Sequence, residues 1–559
     1  MNQQLSGYGL LTGNPFVDNG LAVIASLAKC DQIEDLTLRK MRHVHGNGMV
    51  LARNNERLRS TSSIFLDSML THPSSSYRKN PKRLANYAKI TTTILHNVGH
   101  ETIQENCDIC GNPSSVDLDK LFKETFGKDS VEAKETQYIG RSWFPLAGSV
   151  GGDVQALPAA SRSLHCCAKC LFAVQYLPQT VFSTKGLLTV FQSTSIEFWY
   201  QLVKQFAVEI SKRLSVTTDK VETIGTKKEN KRKDGGGGTR SAIPRMLAVM
   251  EEIERFDPHT SVTMWLFSNL QAGDCDKDRI PNFALTFLYE AAKKFHLTDE
   301  ITRLIDKEKG SHNSLLNCII NRVDYLSLYP SKKNRNEGAS PELFTLYQTK
   351  ILNYPVRTLY SAYKIAQHIK EKTRDNVNFG VDIDKTAAKQ FAAKELIVDM
   401  AAEGGEQFFD EYYDLFIVHN SIGSNPWRLI KYYLLAEVEQ SQVMSMVEEI
   451  GSSINQKQRH QEYKARAISV GRAIYESYLR SRSIDNFERK VLGGLAHNHL
   501  HRRWLRAQFE RLAFEAEKNG EDFDLEENWV LCMNKQGEEK GVYGLLYLCR
   551  LLWTAYVKK

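Results

Sequence analysis

Two short cysteine pairs carry the clearest chemistry in this 559-residue sequence. Cys107-Asp108-Ile109-Cys110 runs into Gly111, and Cys167-Ala168-Lys169-Cys170 follows after 56 intervening residues. A Cys-x-x-Cys turn puts two thiolates on one side of a tight knuckle, the spacing of two corners of a tetrahedron around Zn2+. Two knuckles complete a four-cysteine set with no open position for water, so the site is structural rather than catalytic. The long gap requires other structure inserted between the knuckles. Cys166 adjoins Cys167 as a substitute ligand, but Cys167 keeps the spacing. The alternative is a group of unligated cysteines. Cys30, Cys275, Cys318, Cys532 and Cys549 lack a close partner in sequence and read as small core residues.

The rest of the composition narrows the class. Apolar residues make 42% and charged residues 25%, which excludes a disordered or collagenous chain. Net charge is 73 − 66 = +7, so any nucleic-acid surface must come from local patches. No basic residue precedes the short apolar run from Leu21 to Ala28, and no stretch is long enough to span a bilayer. The expected location is the cytoplasm, where disulfides are rare and paired cysteines point to metal.

Around these residues the chain reads as α+β. Thr12-Gly13-Asn14-Pro15 is a turn, and Asp18 is placed to cap a helix through Leu21, Val23, Ile24 and Leu27. Residues 57–70 and 81–95 read as helices, 189–192 and 261–269 as strands. Ile196, Trp199, Val203, Phe206 and Ile210 mark one face of an amphipathic helix. Residues 225–240, GTKKENKRKDGGGGTR, suit no packed element and read as a basic Gly-rich surface loop. The expected organisation is a mixed N-terminal domain over 1–280 with the knuckles at 105–170, a helical middle over 281–384, and a C-terminal helical bundle over 385–559.

Two segments bear a resemblance to a known family. Leu11-Thr12-Gly13-Asn14-Pro15-Phe16-Val17-Asp18 resembles the opening of the CXXC–CXXC family of CRISPR-associated proteins. So does the block from Trp143-Phe144-Pro145-Leu146-Ala147-Gly148-Ser149-Val150-Gly151-Gly152-Asp153-Val154-Gln155, through Leu157-Pro158-Ala159, to the second cysteine pair and Leu177-Pro178. These motifs cover about the first 180 residues. The family is the large subunit of type I-B Cascade, the RNA-guided surveillance complex. The resemblance implies a subunit with no catalysis of its own, at the end of the complex that holds the crRNA 5′ handle. It implies recognition of the protospacer-adjacent motif in duplex DNA, stabilisation of the R-loop and displaced strand, and recruitment of a helicase-nuclease or of transposition proteins. Guide pairing then carries the sequence specificity. Implied partners are crRNA, target DNA, the backbone and handle-binding subunits, and a small subunit. By analogy that small subunit is made by internal translation from Met400 or Met444.

The residues offer matching contacts. Lys227, Lys228, Lys231, Arg232, Lys233 and Arg240 give the 225–240 loop a charge of +6 − 2 = +4, suited to phosphates. Gly151 and Gly152 allow close backbone approach, and Gln155 offers the paired donor and acceptor that fit a base edge. Asn14 and Arg141 are further candidates of this kind. From Asn455 to Arg511 there are 13 basic and 5 acidic residues, a net of +8, with Arg502, Arg503 and Arg506 clustered around Trp504. A solvated loop, a plain turn and an ordinary helix face are the respective alternatives.

Enzyme readings are weaker. No GxxxxGK[ST] loop, GxSxG elbow or HExxH motif occurs. His96 and His100 at i, i+4, and His497, His499 and His501, lack an evident further ligand. Asp274, Asp276 and Asp278 read first as a polar turn before Pro281. A metal-dependent nuclease on these groups, or a zinc-stabilised protein–protein adaptor, are the rival functions.

Overall fold

The structure, a computed structural model, describes residues 10–65, 81–133, 137–147, 163–184, 187–224, 239–268, 274–306, 314–330, 338–374, 376–404, 411–412, 415–416, 426–443, 469–470, 472–473, 498–520 and 524. The chain divides into two compact units, Met1–Arg322 and Val323–Lys559. The positions 280 and 384, suggested by sequence as domain boundaries, both fall inside these units.

The first unit is mixed. Its helices are α1 (Pro15–Leu27), α2 (Leu38–His45), α3 (Met49–Arg57), α4 (Thr61–Ile64), α5 (Arg83–His96), α6 (Leu118–Phe126), α7 (Ala168–Ala173), α8 (Ile196–Val216), α9 (Thr239–Glu252), α10 (Asn282–Tyr289), α11 (Thr298–Asp306) and α12 (Leu315–Asn321). A 3-10 segment, Val174–Gln179, continues α7. Four antiparallel strands form one sheet in chain order: β1 (Phe182–Thr184), β2 (Leu187–Ser193), β3 (Val262–Ser268) and β4 (Asp274–Ile280). In the β2–β3 register Phe191 faces Met264, and in β3–β4 Leu266 faces Asp276.

Local chemistry explains these elements. Gly13 takes φ +79, the left-handed conformation glycine adopts without steric cost. Asn14 then caps α1, its Oδ1 accepting from the Phe16 and Val17 amides at 3.0 and 3.2 Å, with Pro15 at the first helical position. Asp18 is not the cap. It lies in the first turn and reaches back, its carboxylate accepting from the Thr12 amide and hydroxyl, both at 2.8 Å, and from the Gly13 amide at 2.9 Å. Nearly every residue of α1 is buried, because the helix is enclosed rather than half-wetted. Ser195 caps α8, whose inner face is Phe198, Trp199, Leu202, Val203, Phe206 and Ile210. Phe182, Phe191 and Phe206 meet with ring centroids 4.9 to 5.7 Å apart, joining sheet to helix. Trp199 Nε1 and Asn19 Nδ2 both donate to the Phe191 carbonyl, at 2.9 and 2.7 Å.

Several expectations need correction. The helix expected from residue 57 is absent there: α3 ends at Arg57 and only the short α4 follows before residue 66. Asp274, Asp276 and Asp278 lie in strand β4, not a turn, since β3 supplies a full hydrogen-bonding partner. Cys275 between them is exposed, whereas Cys30 and Cys318 are buried as expected. Helix α5 ends at His96, and Gly99 turns the chain at φ +82, so His100 shares no helix face with it.

The second unit is helical where described: α13 (Pro341–Lys350), α14 (Val356–Lys372), α15 (Val377–Gly380), α16 (Ala387–Gly404), α17 (Pro426–Leu435) and α18 (Asn498–Asn519). Phe344 stacks on Tyr432 at 3.5 Å between centroids, and Tyr432 Oη donates to the Ala339 carbonyl at 2.8 Å. Arg428 and Lys431, one turn apart on α17, bond Asp324 at 2.5 Å and Asp384 at 2.9 Å. Tyr329 Oη donates to the other oxygen of Asp324 at 3.0 Å. Most of the bundle expected over 385–559 lies outside the described residues.

Candidate metal centre

The two knuckles come together. Sγ of Cys107, Cys110, Cys167 and Cys170 all lie within 4.8 Å of one another. Cys110 and Cys167 are 3.6 Å apart at sulfur, too far for a disulfide, and all four are free thiols. Cys107, Cys167 and Cys170 are buried and Cys110 half-buried. Such a set can hold a soft or borderline metal ion and leaves no coordination position for a substrate.

The first knuckle is the tip of a small hairpin. Ile103 and Ser115 exchange backbone bonds at 3.1 and 2.9 Å. Cys107 N then donates to the Asn112 carbonyl at 2.7 Å, and Gly111 N to the Cys107 carbonyl at 2.9 Å. Gly111 takes φ +71, where a side chain would be strained. The second knuckle is the start of α7, with Cys167 at its N-cap position.

Groups that sequence reasoning missed fasten one knuckle to the other. Asp108 N donates to the His165 carbonyl, and His165 N donates back to the Asp108 carboxylate, both at 2.8 Å. Val116 N donates to the Cys166 carbonyl at 2.9 Å. Glu101 accepts from the Ala168 amide at 3.2 Å and from the Gly99 amide at 3.1 Å. His165 Nδ1 pairs with the Glu105 carboxylate. Asp108 sits inside the first CxxC, but nothing in its spacing points 57 residues ahead to His165.

Electrostatics of the bare thiols divide the two knuckles: Cys107 raises Cys110, but hydrogen bonds from Cys167 and Cys170 bring it down to about 7. Hydrogen bonding from its cysteine neighbours holds Cys107 far below the usual thiol range. The same neighbours push Cys167 and Cys170 far up, and burial pushes Cys166 up. One thiolate among crowded thiols suppresses the next, and a bound cation removes that conflict.

The other sequence candidates scatter. Gly151, Gly152, Gln155, Lys227, Lys228, Lys231, Arg232 and Lys233 lie outside the described residues. Arg240 lies in α9, and Arg502, Arg503 and Arg506 in α18. Arg506 pairs with Glu510 at 3.6 Å. Asn14 has its amide oxygen committed to the helix cap, and Arg141 is 7% exposed. Among the described residues, no helix is long and apolar enough to cross a membrane.

The segment 11–18 sits together with the described parts of the second motif region, 143–147 and 163–178. Helix α1 packs on α7 and the following 3-10 segment through Gly20, where a Cβ would lie 2.1 Å from the Ala173 carbonyl oxygen. Gln175 Nε2 donates to the Trp143 carbonyl at 3.0 Å, and Lys169 Nζ to the Leu10 carbonyl at 3.5 Å. No family model, curated protein or solved structure matches the chain.

Proposed function

We propose that the chain is the large subunit of a type I-B Cascade complex. In it the chain reads the protospacer-adjacent motif, stabilises the R-loop and displaced strand, and helps recruit the effector nuclease or transposition machinery. The observation that carries the reading is the packing of the N-terminal motif helix against the second cysteine knuckle. Two segments more than 100 residues apart, both bearing the same family resemblance, pack together beside one cysteine cluster.

The ion we assign is a structural Zn2+ held by Cys107, Cys110, Cys167 and Cys170. Zn–S bonds of about 2.3 Å put tetrahedral sulfurs about 3.8 Å apart. The 3.6 Å between Cys110 and Cys167 suits that figure. The cysteines position the hairpin and α7, and the chemistry of recognition falls to basic residues elsewhere.

The test is co-expression with the neighbouring genes and a repeat array. The expected result is co-purification with crRNA and binding of motif-bearing duplex DNA with steep salt dependence. Neutralising Lys227, Lys228, Lys231, Arg232 and Lys233 lowers the salt slope by roughly 0.9 for each phosphate that is no longer neutralised. Absence of RNA or DNA from every assembly overturns the reading in favour of an adaptor, and metal-dependent cleavage by the chain alone overturns it in favour of a nuclease.

A further inference from the structure

A fifth cysteine adjoins the four where the knuckles close. Cys166 is 0% exposed and stands outside the four-sulfur set described above. Its thiol hydrogen-bonds with Cys107 of the first knuckle and with Cys170 of the second. Cys167 bonds with the same two and also with Cys110. The two chain neighbours therefore share the Cys107–Cys170 edge of the cluster. Cys167 has extended backbone, φ −72 and ψ 160, in which successive side chains leave on opposite sides. The adjacent thiols thus reach that edge from two directions.

The backbone fixes Cys166 in this place. Its carbonyl accepts from the Val116 amide at 2.9 Å, next to the Ile103–Ser115 pair of the first knuckle's hairpin. His165, just before it, is bonded in both directions to Asp108 inside the first CxxC. The spacing fits as well. Cys166 and Cys170 have three residues between them, within the two to four that separate paired zinc ligands.

We infer that Cys166 is a fifth, exchangeable metal ligand. A thiophilic divalent ion is then held either by Cys107, Cys110, Cys167 and Cys170 or by Cys107, Cys110, Cys166 and Cys170. Three thiolates are common to both sets, and the fourth corner passes between neighbours in the chain. The sequence poses Cys166 and Cys167 as rivals; the contacts let both serve. When Cys167 releases the ion, Cys166 is already against two of the remaining sulfurs and takes the corner ahead of water. The exchange is redox-neutral: Cys166 gives up its thiol proton on binding, and the departing Cys167 thiolate takes one up. The inference rests on the metal assignment proposed above and deepens it.

The experiment measures zinc per chain in the full-length protein and the absorption of the Co2+-substituted form, which reports how many thiolates bind. Wild type, Cys166→Ser, Cys167→Ser, the double variant and Cys170→Ser are compared. Cys167→Ser should keep one ion with four thiolates, at an affinity within about 100-fold of wild type. The double variant should bind more weakly again by at least that factor, and Cys170→Ser, which removes a ligand common to both sets, should lose the ion. Cys166→Ser keeps the first set intact and should hold one zinc, but should yield it to a chelator about tenfold faster, because an opened corner is no longer refilled. That rate decides the matter even where Cys167→Ser fails to fold. Loss of the ion from a folded Cys167→Ser, or an unchanged release rate in Cys166→Ser, overturns the inference and leaves the four-cysteine site standing. A wild-type chain that takes up no metal overturns the site itself, and the exchange with it.

Discussion

The cysteine centre of the first unit and the charged cluster of the second solve one problem in different ways. Each fastens segments remote in sequence: Cys110 to Cys167 across 57 residues, and Asp324 to Arg428 across 104. The charged cluster carries its own compensation. Arg428 and Lys431 answer Asp324 and Asp384, two cations to two anions. The thiols carry none: mutual hydrogen bonding lowers Cys107 and Cys110 of the first knuckle but pushes Cys167 and Cys170 of the second far up. A site that balances its own charge is complete once folded, whereas the thiol site, on the zinc assignment proposed above, draws part of its stability from an ion outside the chain.

Chelation should separate the two most sharply. Structural zinc binding is worth on the order of 10 kcal/mol at neutral pH, and that energy is folding energy. Removing the ion, or Cys107→Ser, should melt the first unit and release one zinc per chain, while the second keeps its own transition. Calorimetry paired with metal analysis checks this; an unchanged first transition contradicts the metal assignment.

Acid should come next. His45 is buried, bonded through Nε2 to the Thr92 hydroxyl at 3.0 Å and through Nδ1 to Tyr176. Burial chiefly, and His96 secondarily, lower it to about 4 from 6.5. The neutral form is the folded form, so its contribution is full above about 6.5 and falls as pH drops toward 4. About 3 kcal/mol should be lost by pH 4. Denaturant melts of wild type and His45→Gln across that window test it, since the variant should lack the component.

Arg428→Met acts on the second unit alone. It leaves Asp324, 9% exposed at its side chain, and Asp384, 6% exposed, without the guanidinium. Breaking a buried pair costs about 3–5 kcal/mol; with Arg428 37% exposed, roughly 2–3 kcal/mol is the expected loss. Chelator sensitivity should not change, and a shift in the first transition would erase the contrast. Smallest is Asn14→Ala, about 1 kcal/mol for a missing cap, read as a small shift of the first transition only.

The knuckles were legible because close Cys-x-x-Cys spacing keeps each pair of sulfurs together, and the fold brings the two pairs into one cluster. Strands β2 and β3 and the face of α8 were legible for a similar reason: one buried face imposes a period. Contacts without a period were not. Asp324 and Arg428 look like any surface pair until folding puts them 2.5 Å apart. His45 sits in a strongly basic helix, LRKMRHVH, and nothing local marks it as buried. The first turn of α1 holds two good capping residues, and sequence alone favours the wrong one. Asn14 precedes Pro15 and takes the cap; Asp18 holds the loop instead. Strand β4 hid behind its charges, since a sheet edge accepts Asp and Lys that a propensity scan discounts.

The separation of the knuckles also has a consequence in time. The first CxxC emerges from the ribosome well before its partner. At roughly 5–20 residues per second the wait is about 3 to 12 s. During it α1, already synthesised, has no α7 against which to seat Gly20. Closure of the cluster and docking of α1 therefore belong to one late event, after Cys170 is made. On the zinc assignment proposed above, metal supply during synthesis then governs how much chain matures, beyond how stable the finished protein is.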